Sequence, residues 1–72
     1  MIAAAIDDMT AAIKIAPQTP QYYYDRAHLH LITGDTESAV LDLEQVLALT
    51  LDDKYVLPAK QLLSNILQAQ AE

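Results

Sequence analysis

The sequence predicts an all-α fold built from antiparallel helical hairpins stacked side by side, and three observations predict it. Apolar residues recur at three- and four-residue spacings in separate stretches of the chain. Residues that stop or start helices stand between those stretches: Pro17, the pair Thr19-Pro20, the single glycine Gly34 followed by Asp35, and the turn from Thr50 to Asp53. More than half of the residues are apolar, many of them alanine, while the only aromatics are four tyrosines, which is a helix-building composition. With 72 residues the chain is a single domain over 1–72. A body of that size hides only about 60% of its unfolded surface, so its core is small.

In the first helix, starting at Ile2, the residues Ile6, Met9 and Ile13 share a face with Ala5 and Ala12, and Asp7, Asp8 and Lys14 lie mostly off it. Pro17 ends this helix near Ala16, because it lacks a backbone donor and disfavours helical geometry in the residue before it. Thr19 is placed to cap the second helix with its hydroxyl, and Pro20 takes the first helical position, where the absent N–H costs nothing. This second helix carries Tyr23, Ala27 and His30 inward and ends at Gly34, where a left-handed residue closes a helix cheaply. Asp35 caps the third helix, whose apolar stripe is Ala39, Val40, Leu43, Val46 and Leu47, with Glu37, Asp42 and Glu44 largely outside. With Asp53 as cap, Pro58 falls just past the first turn of the last helix, so that turn is expected to be irregular. From Ala59 on, Leu62, Leu63, Ile66 and Leu67 form its stripe, and Gln70, Ala71 and Glu72 are expected to fray.

An offset of 34 residues lays Ala5 on Ala39, Ile6 on Val40, Asp8 on Asp42, Met9 on Leu43, Ala12 on Val46 and Ile13 on Leu47. That is the period of the tetratricopeptide repeat (TPR), and the segment 20–51 resembles one full repeat of that family. Tyr23 stands for its large aromatic, Ala27 and Ala39 for its small residues, and Gly34-Asp35 for its interhelical turn. Residues 1–17 resemble the second helix of a preceding repeat, closed by Pro17, and 53–70 a capping helix. Arg26, His30, Val46 and Leu51 depart from the family's usual residues at their positions. The resemblance implies a short right-handed solenoid whose work is to bind other proteins.

Ten acidic against four basic side chains give a formal charge of −6, which opposes binding to nucleic acid. No apolar run approaches the roughly 20 residues that span a bilayer, and the opening Met1-Ile2-Ala3 lacks a basic start, so the chain reads as cytoplasmic, with no membrane partner. Without cysteine there is neither a disulfide nor a thiolate metal site. Asp25 and His28 share a helical face, but His28 and His30 point roughly 160° apart, so the two histidines cannot chelate one metal. No serine has a helical neighbour that suggests a nucleophile paired with a base, no glycine-rich loop is present, and adjacent carboxylates such as Asp7-Asp8 and Asp52-Asp53 diverge. No enzymatic role and no cofactor are expected.

By the resemblance, Gln21, Tyr24, Asp25, His28 and Leu31 line the concave groove, with Tyr24 and His28 as the best contact candidates; the alternative for Tyr24 is that it only covers the last helix. Exposed tyrosine offers a large area and a polar tip at small entropic cost. The groove lacks the basic residues that grip acidic peptide ends, so the expected partner is a basic or apolar protein segment. The stripe Ile2, Ile6, Met9 and Ile13 cannot all be covered by the second helix and is expected to drive self-association into a homo-oligomer. The alternatives are a fragment of a longer repeat protein, a rigid spacer, or a small hydrolytic or metal-binding protein using Asp25 and His28.

Overall fold

The computed structural model describes residues 1–70, and the expectation of fraying at Ala71 and Glu72 lies outside them. Four helices follow in order: α1 (Ile2–Ile15), α2 (Pro20–Ile32), α3 (Thr36–Leu49) and α4 (Asp53–Gln70). Among the described residues there is no strand. Each helix packs on the next, and α2 also touches α4, while α1 rests on α2 alone. The body is a slab of 37 × 30 × 15 Å, thin enough for two layers of helices at the ~8–10 Å spacing of packed helix axes.

The connections are short because each is closed by local hydrogen bonds. Ala16 N–H donates to the Ala12 carbonyl as α1 ends, and the buried Tyr23 hydroxyl reaches back to the Pro17 carbonyl at 2.8 Å, tying the turn to α2. The Thr19 side chain makes no capping bond, contrary to the sequence reading. Pro20 has already removed one donor at that end, and the Thr19 carbonyl takes the Tyr22 N–H. At the other end of α2, Gly34 sits at φ +82°. Asp35 N–H donates to the His30 carbonyl and Gly34 N–H to the Leu31 carbonyl, the paired bonds of a Schellman motif. Asp35 then caps α3, accepting from the Ser38 N–H at 3.2 Å and the Ser38 hydroxyl at 2.7 Å. These two bonds hold the Asp35 carboxyl below the ordinary carboxylate range.

Helix α4 departs from the expected start. Asp52, not Asp53, accepts the Lys54 N–H through its side chain, and its carbonyl accepts from Tyr55 and Val56. The helix is regular from Asp53 and runs through Pro58 without interruption. Only the one bond to the Lys54 carbonyl is forfeited there, so an irregular first turn is not required.

The buried core is Tyr23, Ala27, Ala39, Leu43, Val46, Ala59 and Ile66, with Ile13, Tyr24, Leu31, Val40, Leu47, Tyr55, Leu62 and Leu63 packed around it. Ala27 and Ala39 are fully enclosed, which lets α2 and α3 approach closely. Leu67, expected in the stripe of α4, is instead 63% exposed. Ile66 and Leu67 project ~100° apart on a helix, and Ile66 takes the inward direction. The larger correction concerns Asp42, expected outside and found only 5% exposed.

Candidate functional site

The residues expected to line a groove lie along one side of α2, where three- and four-residue steps bring them into a row. Gln21 donates from Nε2 to Asp25 Oδ1 at 2.8 Å. The rings of Tyr24 and His28 meet edge to face, with centroids 4.7 Å apart. Tyr24 and Leu31 are half-buried and packed against the core, whereas His28 is exposed. The row is therefore an open shelf: an aromatic and an aliphatic side chain anchored from beneath, flanked by an imidazole and a Gln–Asp pair. Asp25 and His28 each have a different partner and form no dyad. Among the described residues no pocket is enclosed, and no three His, Asp or Glu side chains converge as metal ligands.

Behind the shelf lies a polar cluster on the opposite side of α2. Arg26 donates from Nε to Asp42 Oδ2 at 2.8 Å and from Nη2 to Asp42 Oδ1 at 2.7 Å, a bidentate pair between α2 and α3. Its Nη1 donates to Thr10 Oγ1 at 3.2 Å, and Thr10 in turn donates to the Ile6 carbonyl, so one guanidinium joins three helices. His30 stands with Nε2 3.6 Å from Asp42 and Nδ1 3.9 Å from Asp35. The Asp42 carboxylate raises the Arg26 pKa through the hydrogen bonds first and its charge second, outweighing the opposing effect of burial. Among the described residues no buried side-chain nitrogen or oxygen lacks a partner.

Residues 20–53, which span α2, the Schellman turn, α3 and the start of α4, match the sequence profile of the tetratricopeptide repeat. The chain carries a tetratricopeptide repeat. Neither curated proteins nor solved structures yield a match to it. In the TPR hairpin, Ala27 and Ala39 are the small residues of close approach, and Tyr23 is the aromatic that locks the preceding turn. Arg26, which departs from the family's usual residue, is the position that reaches Asp42.

Outside the TPR segment, α1 contributes no fully buried residue. Ile13 packs against the core, Ile6 and Met9 are half-buried, and Ile2 is 39% exposed. Ile15, absent from the expected stripe, is the more exposed apolar side chain at 86%. Sequence reasoning missed the Arg26–Asp42 pair because an amphipathic pattern assigns charges to the solvent side. A signal was nonetheless present in the alignment of Asp8 on Asp42, a carboxylate kept at one position of both stripes. No helix is long and apolar enough to cross a membrane among the described residues.

Proposed function

We propose that this chain is a scaffold that holds a partner protein on the α2 shelf, with residues 1–17 acting as the second helix of a partial repeat, 20–51 as a full repeat and 53–70 as a cap. Tetratricopeptide repeats are protein–protein interaction modules, and the match over 20–53 includes α2, the helix that carries the shelf, which supports this reading. The observation that carries the reading is that Tyr24 and Leu31 are half-buried and held by the core beneath them, while His28 and the Gln21–Asp25 pair remain at the margin. Rigid, partly exposed aromatic anchors with a polar rim are what peptide-binding surfaces use. The net charge of −6 and the Asp25 carboxylate favour a basic or apolar segment over an acidic one. No catalytic role is proposed.

A displayed peptide library tests this directly. Wild-type protein is expected to enrich basic or apolar sequences, and Tyr24→Ala to bind them at least about tenfold more weakly. Tyr22→Ala serves as a control. Equal binding by the wild type and the Tyr24 variant would remove the shelf from the account.

A second reading, self-association through Ile2, Ile6, Met9 and Ile13, is favoured by the absence of any buried residue in α1. Sedimentation velocity at micromolar concentration checks it. A stable monomer across that range counts against it.

A further inference from the structure

Helices α1 and α3 carry the same stripe in two different states. In α3 the residues Ala39, Asp42, Leu43 and Val46 are all buried, and α2 is the helix that meets Asp42 through Arg26. The residues laid on them by the 34-residue offset are Ala5, Asp8, Met9 and Ala12 of α1. There Asp8 is exposed and the other three are only half-buried, because α1 touches α2 and no other helix. The pattern that α3 hides beneath a neighbouring helix is thus displayed on α1.

We infer that this side of α1 is a docking surface for a helix of another protein that presents an arginine to Asp8 and a small residue to Ala5. This rests on the reading of the chain as a protein-binding repeat and specifies the partner of its second surface. Charge complementarity sets the chemistry of the partner. Covering the stripe with a wholly apolar helix would bury the Asp8 carboxylate without a counter-charge, which costs more than the apolar contacts return. In α3 the same problem is solved by a guanidinium whose fork matches both carboxylate oxygens, a geometry that lysine's single ammonium does not offer. A second copy has no free guanidinium to offer Asp8. Arg26 is the only arginine in the sequence, and its Nε and Nη2 are already committed to Asp42 and its Nη1 to Thr10. The pattern expected in the partner is the one α2 shows toward α3: an aromatic, then arginine three residues on, then a small residue, as in Tyr23, Arg26 and Ala27.

The probe is a helix-stabilised peptide with the sequence of residues 19–33, titrated into the full chain by calorimetry and mapped by amide chemical-shift changes. Binding is expected with shifts centred on Ala5, Asp8, Met9 and Ala12. Asp8→Asn is expected to weaken it by about tenfold or more, as is Arg26→Gln made in the peptide, and combining the two should add little. Asp7→Asn, whose counterpart Leu41 lies exposed on α3, should leave binding unchanged. Absence of binding, or binding indifferent to Asp8→Asn, overturns the inference. Shifts centred on Tyr24 and Leu31 overturn it while leaving the shelf reading intact, and shifts centred on Ala39 and Leu43 would mean that the peptide displaces α2, which also overturns it. A dimer that forms through α1 and is not dissociated by the peptide would show that the occupant is a second copy.

Discussion

At the scale of single residues, the Arg26–Asp42 pair governs how α2 sits on α3. Removing Arg26 leaves a nearly buried carboxylate unpaired, so Arg26→Ala is expected to lower unfolding stability by about 3 kcal/mol in urea titrations at neutral pH. Replacing both partners with apolar residues of similar volume, as Arg26→Met with Asp42→Leu, should recover much of that loss, because neither charge is then stranded. If the double variant is as unstable as the single one, the pair contributes more than mutual neutralisation. Asp35 gives a pH dependence of definite sign. Its carboxyl is held below the ordinary value of 3.8 by the bonds from Ser38, so the unfolded chain takes up the proton first as pH falls. The capping contribution is complete above the ordinary carboxylate range and fades as pH drops through the lowered folded value. Asp35→Ala should therefore flatten the acid limb of a stability–pH curve and leave its alkaline limb unchanged. Arg26 acts in the opposite sense: its raised pKa means its contribution persists at every pH below its ordinary range. Of these residues the sequence disclosed the Asp35 cap, which follows from local spacing, and concealed the Asp42 pairing. The pairing depends on a side chain sixteen residues away whose charge contradicts the amphipathic pattern.

At the scale of elements, the helix ends show what is legible and what is not. Gly34 at φ +82° was foreseeable as the only glycine between two apolar stripes, and its left-handed backbone is the reason for it. Nothing lies within 4 Å of where a Cβ would stand, so Gly34→Ala meets no clash, only backbone strain. A loss of about 1 kcal/mol is expected in thermal unfolding, and a much larger loss would mean that the turn is also crowded. The start of α4 was less legible, since Asp52 and Asp53 are both good caps by composition and only the chain's path from Thr50 decides between them. Thr50 Oγ1 accepts the Asp52 N–H at 3.0 Å and thereby presents the Asp52 carboxylate to Lys54. Pro58 costs the continuous α4 one internal bond, so Pro58→Ala should stabilise the protein by about 1–3 kcal/mol and slow amide exchange in the first turns of α4. Unchanged exchange would show that the ring itself contributes packing.

At the scale of the whole molecule, the stack is held unevenly. Helix α3 is enclosed by α2 and α4 and supplies both of the large, wholly buried side chains, Leu43 and Val46, whereas α1 leans on α2 alone. Native-state hydrogen exchange is therefore expected to release α1 first and α3 last. The stacked arrangement was readable from the 34-residue period, because each hairpin buries its own stripe against the next one. Which single side chains stay open was not readable, since exposure depends on neighbours and not on local pattern: Ile13 turned inward while Ile15 and Leu67 remained outside. The central claim is that the α2 shelf receives a partner. The most direct measurement is the amide-shift footprint left on the isotope-labelled chain by a basic peptide selected from the library. The expected result is a set of changes gathered at Gln21, Tyr24, Asp25, His28 and Leu31. A footprint confined to the outer side of α3, around Leu41 and Gln45, would contradict it.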